Sequence, residues 1–314
     1  MSRRRESGVA AITAVLIVAV AASAAAVMLA QQSATLDQAL LVAARAQADE
    51  YAHAGVDWAR GVLAQDALAG GDVDSLADGW AQPIAALPVE RAVVAGEIAD
   101  EQGKFNLNNL VVGGHRSDED VAIFGRLLAA QGLAPELADA VVDWIDADDA
   151  LASGAGAENA YYLSLAQPYR AANRPMVQVE ELYRVKGFDA AAVAKLLPYV
   201  TALPSATRTA INANTASATV LAAVLPTVPR EAIERKVAER ADKPFRTDAQ
   251  VAQWVASIDR KASAAGLGVK SGFFSVRVRV AQDDVELGTE ALLERITLPG
   301  KPVATAIVWR RPFY

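Results

Sequence analysis

MSRRRESG over residues 1–8, running directly into VAAITAVLIVAVAASAAAVMLA over residues 9–30, is the stretch that decides the architecture. The second segment carries no charge and, as a helix, reaches about 33 Å, enough to cross a bilayer. Arg3, Arg4 and Arg5 precede it, and the first charges after it are Asp37 and Arg45. The positive-inside rule therefore keeps the leader cytoplasmic and exports the remainder. The competing reading is a secretory signal cut after small residues, for which Ala24-Ala25-Ala26 offers material.

Beyond residue 30 the helical pattern continues. Leu36, Leu40, Ala44, Gln47, Tyr51, Gly55, Trp58 and Val62 recur at intervals of three and four, one mostly apolar stripe. A single helix from Val9 to about Ala67 would extend roughly 90 Å. Gly70-Gly71, Pro83 and Pro88 interrupt it, Val89 to Ala99 reads as one or two strands, and Asp100 to Gly103 reads as a turn. From Ser117 to about Ser257 the pattern is helical, with Ser117 ahead of Glu119 and Asp120, Pro135-Glu136, and Pro229-Arg230-Glu231 as helix starts. Phe273 to Val280 alternates, and Leu292 to Leu298 and Val303 to Trp309 add two strand-like runs around Pro299-Gly300 and Lys301-Pro302. The expected fold class is α+β: a long N-terminal transmembrane helix packed on an antiparallel sheet, interrupted by a large all-α insertion.

The 314 residues exceed one small core and suggest two domains, or one domain carrying an insertion. A net charge of −7 argues against a broad basic surface for nucleic acid. With no cysteine, stability rests on packing or on a bound ion.

The densest carboxylate group is Asp139, Asp143, Asp146, Asp148 and Asp149, with Glu158 following across a loop. A helix from about Pro135 to Ile145 would end on it, and the negative end of a helix dipole disfavours accumulated aspartates unless a cation sits nearby. Oxygen-only clusters suit calcium, which takes six to eight oxygens. The spacing is not an EF-hand, because Ala150 and Ala157 stand at its fifth and twelfth places. Arg170 and Arg174 as the compensating cations, or solvated acids, are the alternatives. Asp146, Asp148 and Glu158 are the stronger ligand candidates; Asp143 either joins them or caps, Asn159 or loop carbonyls complete the shell, and Asp149 points away.

Glu180 to Phe188, followed by a helix to Leu197, resembles a helix-hairpin-helix with Gly187 at its turn. The mixed local charge makes it a structural or protein-contact module rather than a phosphate binder. His53 and His115, the only histidines, stand in no catalytic spacing, and Gly113-Gly114 lacks a phosphate-loop context. No enzymatic activity is expected.

The leader ending in Gly8 against the apolar helix resembles that of type IV pilins and pseudopilins, which implies cleavage by prepilin peptidase between Gly8 and Val9. The fifth mature position, usually Glu in that superfamily, is Thr13. Such a departure typifies the K-type minor pseudopilin of the type II secretion system. Asp100-Glu101-Gln102-Gly103-Lys104-Phe105-Asn106-Leu107-Asn108 resembles that family's D-x-x-G-K-x-N-L-N segment. Asp143 to Asp148 resembles its D-W-x-D-x-D, Gly156 to Tyr162 its G-A-E-x-x-Y-Y, and Pro168 to Pro175 its P-Y-R-x-A-N-x-P. The resemblance covers essentially the whole chain.

It implies a leader over 1–8, a transmembrane helix over 9–30, and a helix extension with the first strands of a pilin-like domain over 31–110. An all-α insertion follows over 111–260, and closing strands over 261–314. It also implies a single-pass protein of the inner membrane with its bulk in the periplasm, and structural calcium held by Asp143, Asp146, Asp148, Glu158 and Asn159. The implied work is tip assembly of the pseudopilus. The implied partners are the I-type and J-type minor pseudopilins, the major pseudopilin, prepilin peptidase, and secreted substrate or the outer-membrane secretin; nucleic acid is not among them. A DNA-uptake pseudopilin and a membrane-anchored periplasmic hydrolase are the rival readings.

Overall fold

The computed structural model describes residues 3–69, 72–204, 206–296 and 303–313, with side chains described from residue 9. The Gly70-Gly71 break and the Pro299 to Pro302 turn fall outside the described residues. Helix α1, Arg3–Ala69, is continuous over 67 residues and spans about 100 Å. From Val9 to Ala43 its side chains are exposed, and the helix is long and apolar enough to cross a membrane.

The second half of α1 lies on a five-stranded antiparallel sheet of β1 Ile84–Val89, β2 Ala92–Asp100, β3 Phe273–Gln282, β4 Val285–Ile296 and β5 Ala304–Phe313, arranged in that order. Ala48, Ala52, Val56, Ala59 and Leu63 face Ile98, Phe274, Val276, Val278, Val280, Ala291 and Leu293. The buried stripe of α1 is thus rotated by one residue from the expected one. Leu36 and Leu40 are exposed, and Trp58 is 53% exposed. Small alanines let the helix settle onto the sheet, while the larger residues that dominate the sequence pattern form the rim. Gly55 marks the closest approach, because a Cβ there would meet Val278 Cγ1 at 2.8 Å.

Alternation in β3 sends Val276, Val278 and Val280 to the helix and Arg277 and Arg279 to the other face. Both tight hairpins place a non-glycine residue in left-handed backbone, Glu90 at φ 52 and Asp283 at φ 52. An Arg91–Asp283 ion pair at 2.9 Å ties the two turns together, and Gln47 and the Tyr51 hydroxyl donate to the Glu90 carboxylate from α1. The sheet includes more of the chain than its sequence indicates. β4 begins at Val285, well before Leu292, because Glu286, Gly288 and Glu290 mask the alternation of a strand whose charged residues lie on the outer face.

The chain leaves the sheet at Asp100 and re-enters at Phe273. The intervening block contains α2 Asp118–Ala130, α3 Leu137–Ile145, α4 Asn159–Leu163, α5 Ala190–Leu196, α6 Ala218–Val224, α7 Arg230–Glu239 and α8 Asp248–Ile258. Ser117, Asp189, Ser217 and Thr247 cap four of these with side-chain oxygens. Their apolar faces form a second core, which also takes in Phe105, Leu107 and Leu110 at its entry and Leu267 and Val269 at its exit.

A buried polar network stitches the two cores together where the chain passes between them. Arg295 of β4, 1% exposed, donates to both oxygens of the fully buried Asp74 and to the Ser271 carbonyl. Asp100 Oδ2 accepts from Thr215 Oγ1, Ser271 Oγ at 2.7 Å and Asn212 Nδ2 at 3.0 Å. Asn212 Nδ2 also reaches the Asp74 carbonyl at 3.1 Å.

Candidate metal centre

Helix α3 carries Asp143 in its last turn and ends at Asp146, whose extended backbone turns the chain into the loop leading to α4. Within that loop Asp148 Oδ1 accepts from the Ala150 N–H at 2.8 Å, and Ser153 accepts twice, through Oγ from Ala155 and through its carbonyl from Gly156. These local bonds fold the loop back over the end of α3. Glu158, in extended backbone, precedes α4, and its carbonyl accepts from the Tyr161 and Tyr162 N–H groups.

The fold brings Asp143, Asp146 and Glu158 together, with one carboxylate oxygen of each within 4.8 Å of the others. Asp143 is fully buried; its Oδ1 accepts from the Ala152 N–H at 2.8 Å, and its Oδ2 has no partner. Asp146 Oδ1 and both oxygens of Glu158, a residue 4% exposed, are likewise buried without partners. Burial first, and the neighbouring carboxylates second, push Glu158 up to about 8 and Asp146 up to about 6, and burial raises Asp143 as well.

Of the two expected cations, Arg174 turns to Glu181 at 3.4 Å and Arg170 is exposed; Arg116 pairs with Asp139 at 2.8 Å, and the Lys186 ammonium is held by the Gly156 carbonyl at 2.8 Å. Unpaired oxygens at the negative end of a helix, with raised proton affinity, are a set that a hard divalent cation fits: the donors are all oxygen, with no His or Cys among them.

Two of the expected ligands also make bonds within the loop. The Asp148 side chain stays with its own turn at Ala150, and its carbonyl accepts from Asn173 Nδ2 at 3.2 Å. Asn159 Oδ1 accepts from the Ala171 N–H, and its Nδ2 donates to Asp149 Oδ1. Asn173, which sequence reasoning did not single out as a ligand, presents a buried Oδ1 with no partner. It sits in left-handed backbone at φ 45, with its N–H on the Trp144 carbonyl at 3.0 Å. The available signal was chemical, since asparagine both tolerates that backbone and offers an amide oxygen. Trp144, Tyr162 and Tyr169 pack behind the loop, with Trp144 edge-on to Tyr162 at 5.3 Å.

A second acidic group, Asp66, Asp74 and Asp78, differs in kind. Arg295 supplies its countercharge, reaching Asp66 Oδ2 at 3.2 Å as well as Asp74. The helix-hairpin-helix region comprises a 3-10 turn, Val179–Arg184, then Gly187 at φ 87 and α5. His53 lies 3.5 Å from Asp49 on α1, and His115 is exposed.

A long helix laid on an antiparallel sheet, with a mostly helical block that also holds three short strand pairs inserted between the sheet's second and third strands, defines a pilin-like protein carrying a large insertion. The family described as type II secretion system (T2SS), protein K, matches residues 103–205 and again residues 211–270. The type II secretion system protein K of Pseudomonas aeruginosa is 34% identical over 292 residues, covering 90% of this chain and 86% of the relative. That of Aeromonas hydrophila is 33% identical, covering 96% of this chain and 95% of the relative. The chain belongs to the type II secretion system protein K family and is a component of that protein-export machinery. Its fold is also that of a chain in the crystal structure of the GspK-GspI-GspJ complex from the enterotoxigenic Escherichia coli type 2 secretion system. The TM-score is 0.75 at 24% identity, over 86% of this chain and 97% of that one.

Proposed function

We propose that the chain is a minor pseudopilin at or near the tip of the type II secretion pseudopilus, a structural subunit without catalytic activity. Membership of the protein K family carries this reading. Prepilin peptidase cuts between Gly8 and Val9, and α1 anchors the mature chain in the inner membrane with the sheet and the helical block in the periplasm. Supporting this orientation are Arg3, Arg4 and Arg5 ahead of the apolar segment. Thr13 satisfies itself, since Oγ1 lies 2.9 Å from the Ala10 carbonyl and 3.0 Å from that of Val9. It offers no carboxylate to a neighbouring subunit's N-terminal ammonium, which suits a subunit with nothing above it.

The exposed Leu36, Leu40, Leu41 and Val42 of α1 offer apolar surface for the helices of I-type and J-type minor pseudopilins and of the major pseudopilin. The helical block, bounded by the packing at about residues 105 and 269, caps the assembly and faces secreted substrate or the outer-membrane secretin. Calcium is the ion for the carboxylate centre. Asp143, Asp146 and Glu158 would hold it, with Asn173 Oδ1 or loop carbonyls completing the shell. When bound it would supply the positive charge that the buried carboxylates lack.

Co-expression of the full chain with I-type and J-type pseudopilins, and purification through a tag on this chain in detergent, tests the assembly reading. A stable complex of the three is expected. Recovery of this chain alone, with both partners folded in the same cells, would overturn it.

A further inference from the structure

The geometry points to Lys186 as a positioning residue for the Glu158 arm of the carboxylate centre, through which the hairpin at Gly187 controls metal affinity. This inference rests on the calcium reading of that centre. Lys186 lies just after the Val179–Arg184 turn and meets the metal loop in three ways. Its Nζ donates to the Gly156 carbonyl at 2.8 Å, its backbone N–H donates to the Tyr162 hydroxyl at 3.3 Å, and its ammonium stands 5.2 Å from the centroid of the Tyr161 ring.

Gly156 precedes Glu158, and Tyr161 and Tyr162 follow it on the first turn of α4. One residue of the hairpin therefore touches the chain on both sides of Glu158, at the Gly156 backbone before it and at the Tyr161 and Tyr162 side chains after it. The Glu158 carboxylate has no hydrogen bond of its own to aim it, so its direction is set by where its backbone is fixed. Gly156 is also the point at which the loop presses on Asp143, so the same tether sets the distance between two members of the cluster.

Two effects of Lys186 have opposite signs. Its positive charge near the centre repels an incoming cation, so if charge were its main influence, truncation would tighten binding. Its tether holds Glu158 in place, so if position dominates, truncation loosens binding. Outer contacts that orient metal ligands typically change affinity 10- to 100-fold.

The test is calorimetric titration of calcium into metal-stripped full-length protein in detergent micelles, for wild type, Lys186→Met and Lys186→Arg. Lys186→Met should bind about tenfold or more weakly, while Lys186→Arg, which keeps the donors and the charge, should restore most of the affinity. Melting in chelator should be similar for all three, which separates lost positioning from lost folding. Should Lys186→Met fail to fold, Lys186→Gln takes its place, with the same readings. Unchanged or tighter calcium binding by the Met variant, beside a wild type that binds, overturns the role of Lys186 alone. A wild type that takes up no calcium overturns the calcium reading and this inference together.

Discussion

Gly156 rests its bare α-carbon against the carboxylate of Asp143, whose Oδ2 stands where a Cβ would have to be. A side chain at 156 would therefore push the loop off α3 and draw Glu158 away from Asp143 and Asp146. Gly156→Ala should destabilise the protein by about 1–3 kcal/mol, the usual cost of overpacking. It should also remove most of the rise in melting temperature that calcium produces. Melting curves of the full chain with calcium and with chelator read both effects, and an unchanged calcium increment would contradict the geometry.

The centre itself predicts a response to metal removal. Chelator should lower the melting temperature of the wild type and calcium should restore it. At a hundredfold excess over the dissociation constant the bound ion stabilises by about 2.7 kcal/mol. Magnesium should substitute poorly, because it demands a tighter octahedral shell and gives up water reluctantly. Glu158→Gln should lose most of the calcium increment while melting near wild type in chelator, since the carboxylate it neutralises has no partner in the folded protein.

The junction between the cores makes a different demand. Arg295 and Asp74 are almost wholly buried against each other, and removing one partner leaves an uncompensated charge. Arg295→Met should cost about 3–5 kcal/mol, and Arg295→Met with Asp74→Asn should recover part of that loss. Urea denaturation of the three proteins measures this. A single variant within about 0.5 kcal/mol of wild type, as for an ordinary surface change, would show that the pair does not hold the junction.

Asp100, at the same junction, sets a pH dependence. Burial pushes its carboxyl from 3.8 to about 6, against the pull of its Thr215, Ser271 and Gln102 donors. Between those pH values the folded state keeps a proton that the unfolded state releases, so this group's contribution to stability falls as pH rises from about 4 to about 6 and is level above. Asp100→Asn cannot titrate. Wild-type stability minus that of the variant should therefore decline across the window in denaturant titrations, and a difference flat with pH would contradict the assignment.

Much of this fold is legible in the sequence, for physical reasons that also explain what is not. The uncharged run from Val9 to Ala30 and the alternation at Phe273 to Val280 are patterns with one structural solution each. The most deeply buried face of α1 lies one residue from the expected stripe, because three alanines with Val56 and Leu63 make the contact with the sheet, while Tyr51, Trp58 and Val62 mark its rim. The first half of β4 was hidden because Glu290 sits on the outer face between Arg277 and Arg311, where a charge is satisfied without solvent. The acidic run marks the place where carboxylates gather. Which acids converge depended on loop bonds at Ala150, Ala152 and Ala171 that side-chain chemistry alone does not reveal. Asn173 and Lys186 reach the loop from later segments, a relation that only the folded chain displays.

The central claim, that this protein K family member works as a processed pseudopilin, is tested most directly by sequencing the N-terminus of the chain recovered from membranes of cells that contain prepilin peptidase. The expected sequence begins at Val9, reading Val-Ala-Ala-Ile-Thr. A chain that still begins at Met1, or one cut among the alanines at positions 24–26, would contradict it.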